Sequence, residues 1–363
     1  MEQYIYISII FFSLIIFQLY IYITYEKLSN AYRSNKIKKY SQRIESYINN
    51  IIDEINAGHE TTTAILDDLK YACMNKMKRE VVEEHILNRM ENLKGVDLSK
   101  HTELCDYIGV VQYEINNLEN KNYFKKALAA KRLGEFRSKD AVPALLAQIH
   151  VRNNDVIYNI LLALAKIGDE EAFVNAFASM DSSISLSERS LIEIVDSFEG
   201  NKYNIYKHMI NSSNRFIAGV FIKSAGNARM ISLSKAISKY LSSENKELRI
   251  AAVKAIGNMG AEEYVNDLIK LLKDHEWEVR ALSAKALNNF TDNEILLPLR
   301  DALSDAQWHV RFNAATTILN HEDGMSIVDS VLDGNDTFAK DIIMFAIENS
   351  GDRKTSFLKS HNV

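Results

Sequence analysis

Two cysteines and two prolines in 363 residues exclude a good deal at once. Cys73 and Cys105 stand apart, with no CxxC pairing, so neither a disulfide framework nor a cysteine zinc site can be built, and a reducing compartment suits them. With only two prolines and 13 glycines, there is little of the punctuation that strands and tight turns need. No excess of basic charge exists either. The formal net charge is -5 and the sequence pI about 6.0, which excludes a global field that would recruit nucleic acid. What the chain does have is 47% hydrophobic residues, enough for a large core, in a composition that leans toward helix.

The first 25 residues lack charge almost entirely. From Gln3 to Tyr25 there is none, and a helix of about 22 residues rises roughly 33 Å, enough to cross a hydrocarbon layer of about 30 Å. Tyr4 and Tyr6 mark one end, Tyr20, Tyr22 and Tyr25 the other, as amphipathic rings do at two interfaces. A cleaved leader would need a basic start and a small-residue exit, and this segment has neither. Residues 1–25 are therefore expected to be a single-pass anchor, with the membrane contact at residues 4–25. Lys27, Arg33, Lys36, Lys38, Lys39 and Arg43 follow it, so the bulk of the chain is expected in the cytoplasm. These cations could also meet anionic headgroups. In residues 26–58, Ile37, Tyr40, Ile44, Tyr47 and Ile51 recur at spacings of three and four. That stripe predicts an amphipathic helix docked on the rest of the chain, with a self-associating seam, and hence a homodimer, as the alternative. Residues 59–120 continue in helical periods.

From 121 to 358 the chain repeats itself. "EWEVRALSAKAL" from Glu276 and "QWHVRFNAATTI" from Gln307 superpose Trp277 on Trp308, Val279 on Val310, Arg280 on Arg311 and Ala284 on Ala315. "ELRIAAVKAIGNMG" places Arg249 on the same column, with Arg215 and Gly226, Ala163 and Gly168, Ala129 and Gly134, and Ala346 and Gly351 marking other copies; "ERSLIEIVDSFEG" is a degenerate one. Short apolar helices such as "AVPALLAQI", "YVNDLIKLL" and "ILLPLRDAL" precede the copies. About eight helical hairpins result, and because one hairpin cannot bury its own apolar face, they must stack. The fold class expected is all-α, an α-solenoid preceded by one N-terminal transmembrane helix.

The run "DAVPALLAQI" at 140–149 and the Val-Arg-x-x-Ala-x-x-Ala-Leu pattern resemble HEAT repeats, in particular the short variety of phycobilisome-lyase-type proteins. The segment "NYFKKALAAKRLGEF" is similar to the opening unit of bacterial membrane-anchored HEAT proteins, some of them associated with polysaccharide-making glycosyltransferases. The resemblance implies a solenoid fold and says little about role, since such repeats serve many.

Several columns carry expectations of their own. Ala252, Ala255, Ala284, Ala286 and Ala315 should let the two helices of a hairpin approach closely. Asp274 and Asp305 precede Arg280 and Arg311 by six residues, so Arg249, Arg280 and Arg311 are expected to form a charge-assisted structural ladder with them, tying each turn to its neighbours. Trp277 and Trp308 either cover turns or stack into an aromatic platform. Asn258, Asn289 and Asn320 read as helix caps in the left-handed conformation. Lys254 and Lys285 should point outward from the inner helices. If a partner peptide lies along the inner face, Lys254, Asn258, Lys285 and Asn289 are the expected contacts, with Trp277 and Trp308 beside them.

Enzymatic chemistry finds little support. Deoxyhypusine hydroxylase, also HEAT-like, binds iron through His-Glu pairs. The pairs here, His59-Glu60, His275-Glu276 and His321-Glu322, fall in non-equivalent places, and no metal or cofactor is expected. There is no phosphate-cradling glycine loop and no nucleophile elbow. The reading is a membrane-anchored, cytoplasm-facing scaffold or adaptor for a protein partner, with no nucleic acid involved. Its specific version, which rests on the resemblance, is an accessory to a polysaccharide glycosyltransferase; an enzyme of lyase-like or modifying type acting in the groove is the alternative.

Overall fold

The computed structural model describes residues 2–57, 62–90, 96–180 and 186–349. The chain divides into two compact units, Met1–Ala147 and Gln148–Val363. Every regular element among the described residues is helical. His59 and Glu60, the copy-marking Gly351 and the expected boundaries at 58 and 358 lie outside the described residues.

The first unit contains α1 (Glu2–Asn56), α2 (Thr63–Cys73), α3 (Lys76–Met90), α4 (Val96–Tyr107), α5 (Val110–Asn117), α6 (Tyr123–Phe136) and α7 (Val142–Ala147). The anchor segment and the amphipathic stripe form one continuous helix, α1, about 82 Å long at 1.5 Å per residue. Its N-terminal part is apolar and long enough to cross a membrane, and none of it is covered by the rest of the chain. The stripe behaves differently. Ile48, Ile51 and Ile52 are buried where α1 packs on α3 and α4, while Ile37, Tyr40, Ile44 and Tyr47 are half-buried. Docking thus accounts for the stripe.

A charged cluster is enclosed between α3, α5 and α6. The Arg132 guanidinium lies 2.7 Å from both Glu83 Oε2 and Glu114 Oε1, and both carboxylates are buried. Arg79 completes the group, 3.7 Å from Glu83 and lying over the Tyr113 ring. Burial pushes the Glu83 carboxyl up to about 7, against the pull of Arg132.

The second unit is a double row. Its inner row is α8 (Asn154–Ile167), α10 (Glu188–Asp196), α12 (Arg215–Asn227), α14 (Lys246–Met259), α16 (Trp277–Ala286), α18 (Trp308–Asn320) and α20 (Thr337–Glu348). Its outer row is α9 (Glu170–Ala178), α11 (Lys202–Met209), α13 (Ser234–Ser238), α15 (Val265–Leu271), α17 (Leu296–Ala302) and α19 (Gly324–Leu332). Each inner helix packs on the next inner helix and on outer neighbours, the arrangement of an α-solenoid. Local sequence sets the starts and stops. Asn153, Asn214, Asn245 and Asp336 cap α8, α12, α14 and α20 by accepting backbone N–H groups, and Gly260, at φ +64°, ends α14.

Ala255 and Ala286 make their close approach between layers, which for these two corrects the expectation that the alanines bring the two helices of one hairpin together. A Cβ on Gly226 of α12 would lie 2.4 Å from the Cα of Ala255 on α14, and one on Gly257 would lie 2.6 Å from the Cβ of Ala286 on α16. Successive inner helices therefore touch backbone to backbone, and the aliphatic side chains fill the rest of the layer.

Candidate functional site

Helix geometry gathers the site from one repeated pair of positions. Residues four apart lie on the same helix face, and each inner helix from α12 to α18 offers such a pair: Lys223 and Asn227, Lys254 and Asn258, Lys285 and Asn289, Thr316 and Asn320. Phe345 and Asn349 continue the column at α20. Asn227, Lys254, Asn258, Lys285, Asn289, Thr316 and Asn320, together with Phe312 and Asn313, line an open cavity of about 570 Å³ running across α12, α14, α16 and α18. Lys254, Asn258, Lys285 and Asn289 are all exposed there.

The asparagines tie layers together. Asn289 Nδ2 donates to the Gly257 carbonyl at 2.8 Å, and Asn320 Nδ2 donates to Asn288 Oδ1 at 2.9 Å. Asn258 Nδ2 reaches Asn227 Oδ1 at 3.4 Å. Asn313 and Thr317 bond the carbonyls of Ala281 and Ala284, each at 2.7 Å. None of Asn258, Asn289 and Asn320 is a left-handed cap; among the described residues only Arg137 and Arg229 have positive φ without being glycine. They sit on the groove face because the bonds they make run along it, from each layer to the one before.

The lysine column is unevenly compensated. Lys223 is paired with Glu188 across α10 and α12. Lys254 and Lys285 have no ion-pair or hydrogen-bond partner among the described residues. Partial desolvation, then the ammonium groups of Lys223 and Lys285, hold Lys254 below the ordinary lysine range, with Glu188 opposing. The groove is a place where positive charge is crowded.

Trp277 and Trp308 stand at the first turns of α16 and α18, and they do not stack on each other. His309 comes between them, its ring 5.5 Å from Trp277 at 19° and 5.2 Å from Trp308 at 80°. Trp308 also lies flat against Phe312, 4.9 Å away at 7°, and edge-on to Phe345. The indoles are 36% and 42% exposed, so the row is open to solvent. Phe312 is its link to the cavity.

The arginine column lies on the side of the turns. Arg249 meets Asp274 at 2.9 and 3.0 Å, and Arg280 meets Asp305 at 2.7 and 3.0 Å. Each arginine also donates back to a carbonyl six residues earlier, Arg280 to Asp274 and Arg311 to Asp305. One guanidinium thus clamps its own turn and the next. Against the upward push of burial, Arg280 and the Gln307 N–H hold the Asp305 carboxyl below the usual range. Arg311 makes no ion pair among the described residues and lies over Phe338 instead. A second hollow of about 630 Å³ opens beside Arg249 and Asp274; both polar groups are committed to the clamp.

Among the described residues no three His, Cys, Asp or Glu side chains are grouped to hold a metal. His275 lies 3.3 Å from Arg249, and His321 Nδ1 accepts from the Asp323 N–H, so the two His-Glu pairs that are described serve separate turns. Sequence reasoning reaches Lys254, Lys285, Asn258, Asn289, Trp277 and Trp308 as partner contacts. It missed Phe312, Asn313, Thr316 and His309. Thr316 was legible as the next member of the lysine column; His309 was not.

Residues 233–320, which hold α14 to α18, match the family model for HEAT repeats. No curated protein matches it. Among solved structures, an engineered protein is 18% identical over 81% of this chain and 90% of its own, with a TM-score of 0.37. The YibA protein of Escherichia coli is 17% identical over 78% and 90%, with a TM-score of 0.35. Human deoxyhypusine hydroxylase in complex with glycerol is 14% identical over 78% and 94%, with a TM-score of 0.28.

Proposed function

We propose that this chain is a membrane-anchored, cytoplasm-facing HEAT-repeat scaffold that recruits a protein partner through the groove of its inner row. The observation that carries the reading is the groove itself. It spans four successive layers, presents Lys254 and Lys285 without counter-ions, and adjoins an exposed aromatic row, surface that folding alone does not require. The anchor rests on the apolar, uncovered N-terminal part of α1 and the exposed cations after it, Lys27, Arg33, Lys36, Lys38, Lys39 and Arg43. Tethering would confine the groove to the volume beside the membrane and raise the effective concentration of membrane partners. The partner that the sequence resemblance nominates is a polysaccharide-making glycosyltransferase.

The test is crosslinking of the intact protein in its native membrane, followed by purification and identification of what is attached. A variant replacing Lys254, Asn258, Lys285 and Asn289 is run in parallel. A single membrane protein captured by the native chain and lost by the variant supports the reading. Equal capture by both sinks the groove as the docking site, and no enrichment over an unrelated single-span protein sinks the adaptor.

A further inference from the structure

The groove has an order along the stack as well as a charge. At the position that precedes each asparagine by four, α14 offers Lys254, α16 offers Lys285, and α18 offers Thr316 with the Phe312 ring one turn away. Two uncompensated cations are thus followed by an apolar surface, one per layer. Of the two carboxylates whose fields reach Lys254, Glu188 is ion-paired with Lys223, and Glu247, exposed two turns earlier on α14, makes no ion pair with it.

Layer spacing then selects the conformation of what can bind. Packed helices stand about 8–10 Å apart. A polyproline II segment rises about 3.1 Å per residue with three residues per turn, so every third side chain returns to the same face after about 9.3 Å. A β-strand fails this match, because residues three apart point to opposite faces. The three-residue screw sets one side chain on each layer.

We propose that the groove takes a polyproline II segment of a partner protein in which two carboxylates three residues apart meet Lys254 and Lys285, and an apolar side chain three residues further lies against Phe312. This rests on the adaptor reading and names the chemistry of its partner. Partial desolvation and then the neighbouring ammonium groups hold Lys254 below the usual lysine range, and an arriving carboxylate opposes both. Pro-rich segments pay little ordering entropy in such a groove because the conformation is preformed.

The chain's two tryptophans, Trp277 and Trp308, report on the neighbourhood, since Trp308 lies on Phe312. The full chain in detergent micelles is titrated with the end-blocked peptide Glu-Pro-Pro-Glu-Pro-Pro-Leu and with its reverse order, following tryptophan emission. One of the two orders is expected to give a saturable change that weakens as salt is raised. An isomer with adjacent glutamates, Glu-Glu-Pro-Pro-Pro-Pro-Leu, is expected to bind about ten-fold more weakly, as is the native-register peptide to Lys254→Glu or Lys285→Glu. Lys254→Gln, which leaves the helix intact and adds no repulsion, should fall between. Binding of neither order, or binding indifferent to glutamate spacing and to both charge reversals, overturns the proposal. If that happens while the groove variant still loses its crosslinked partner, the adaptor reading stands and only the acidic register falls.

Discussion

Gly226 of α12 faces the backbone of Ala255 on α14 so closely that a methyl group on the glycine would lie 2.4 Å from the alanine Cα. Nothing flexible is there to yield. Gly226→Ala must push two inner helices apart and is expected to cost about 1–3 kcal/mol. Gly219, two turns earlier on the same helix, is the control: a Cβ there would have Leu248 Cδ2 as its nearest neighbour at 3.9 Å. Gly219→Ala is expected to be neutral or to stabilise by about 0.5–1 kcal/mol through helix propensity. Thermal or denaturant unfolding of the two variants separates the cases, and equal effects would refute the close-approach account.

Arg280 and Arg311 occupy the same repeat position with different partners. Arg280 holds both oxygens of Asp305, whereas Arg311 makes only carbonyl contacts with its own turn and a ring contact with Phe338. A lysine cannot reproduce the planar fork. Arg280→Lys should destabilise by about 1–2 kcal/mol and Arg311→Lys by about 0.5 kcal/mol. Chemical denaturation of the two variants is the comparison, and the reverse order would show that the inter-turn clamp is not what holds these layers.

Glu83 makes unit stability depend on pH in a defined direction. Burial raises its folded carboxyl to about 7, above the ordinary 4.5. The folded state therefore binds the extra proton between those values, and stability from this group is full below pH 4.5 and lost as pH rises through 7. The size is on the order of 3 kcal/mol. Glu83→Gln should remove that slope, so the difference in unfolding midpoint between the native chain and the variant should change across pH 4.5–7 and flatten outside it. A pH-independent difference would show that Glu83 is ionised throughout.

Cys73 and Cys105 are free and buried, and burial pushes the Cys73 thiol up to about 12 and the Cys105 thiol higher still. The thiolate is the reactive form. Neither should react with a thiol reagent at pH 8 in the native chain, and both should react after denaturation. A rapidly titrating thiol in the native protein would contradict the packing of α2 and α4.

Much of the site could be read from spacing, as the positions of Lys254, Lys285, Asn258 and Asn289 illustrate. Each pair sits four residues apart on its helix, and the repeat carries the pair from layer to layer, so periodicity alone puts them on one face. The same arithmetic reaches Thr316, while the lining role of Phe312 needed the neighbouring layer in place. The residue type of the asparagines suits a helix cap, but their partners are one repeat away.

The sequence by itself determined what repeats: helices, hairpins, the columns of Arg, Lys and Asn, and the long apolar start of α1. These follow from local rules, the helical turn and the hydrophobic period, which act within a few residues. Tertiary structure alone decided the partners across layers. Arg280 chose the aspartate 25 residues ahead for its ion pair and the carbonyl six behind for its clamp. His309 came to lie between two indoles that alignment had placed on top of each other. Arg132 met Glu83 and Glu114 with no spacing rule to announce it. Such contacts depend on how one helix is shifted and rotated against the next, a quantity set by side-chain interlocking at the interface.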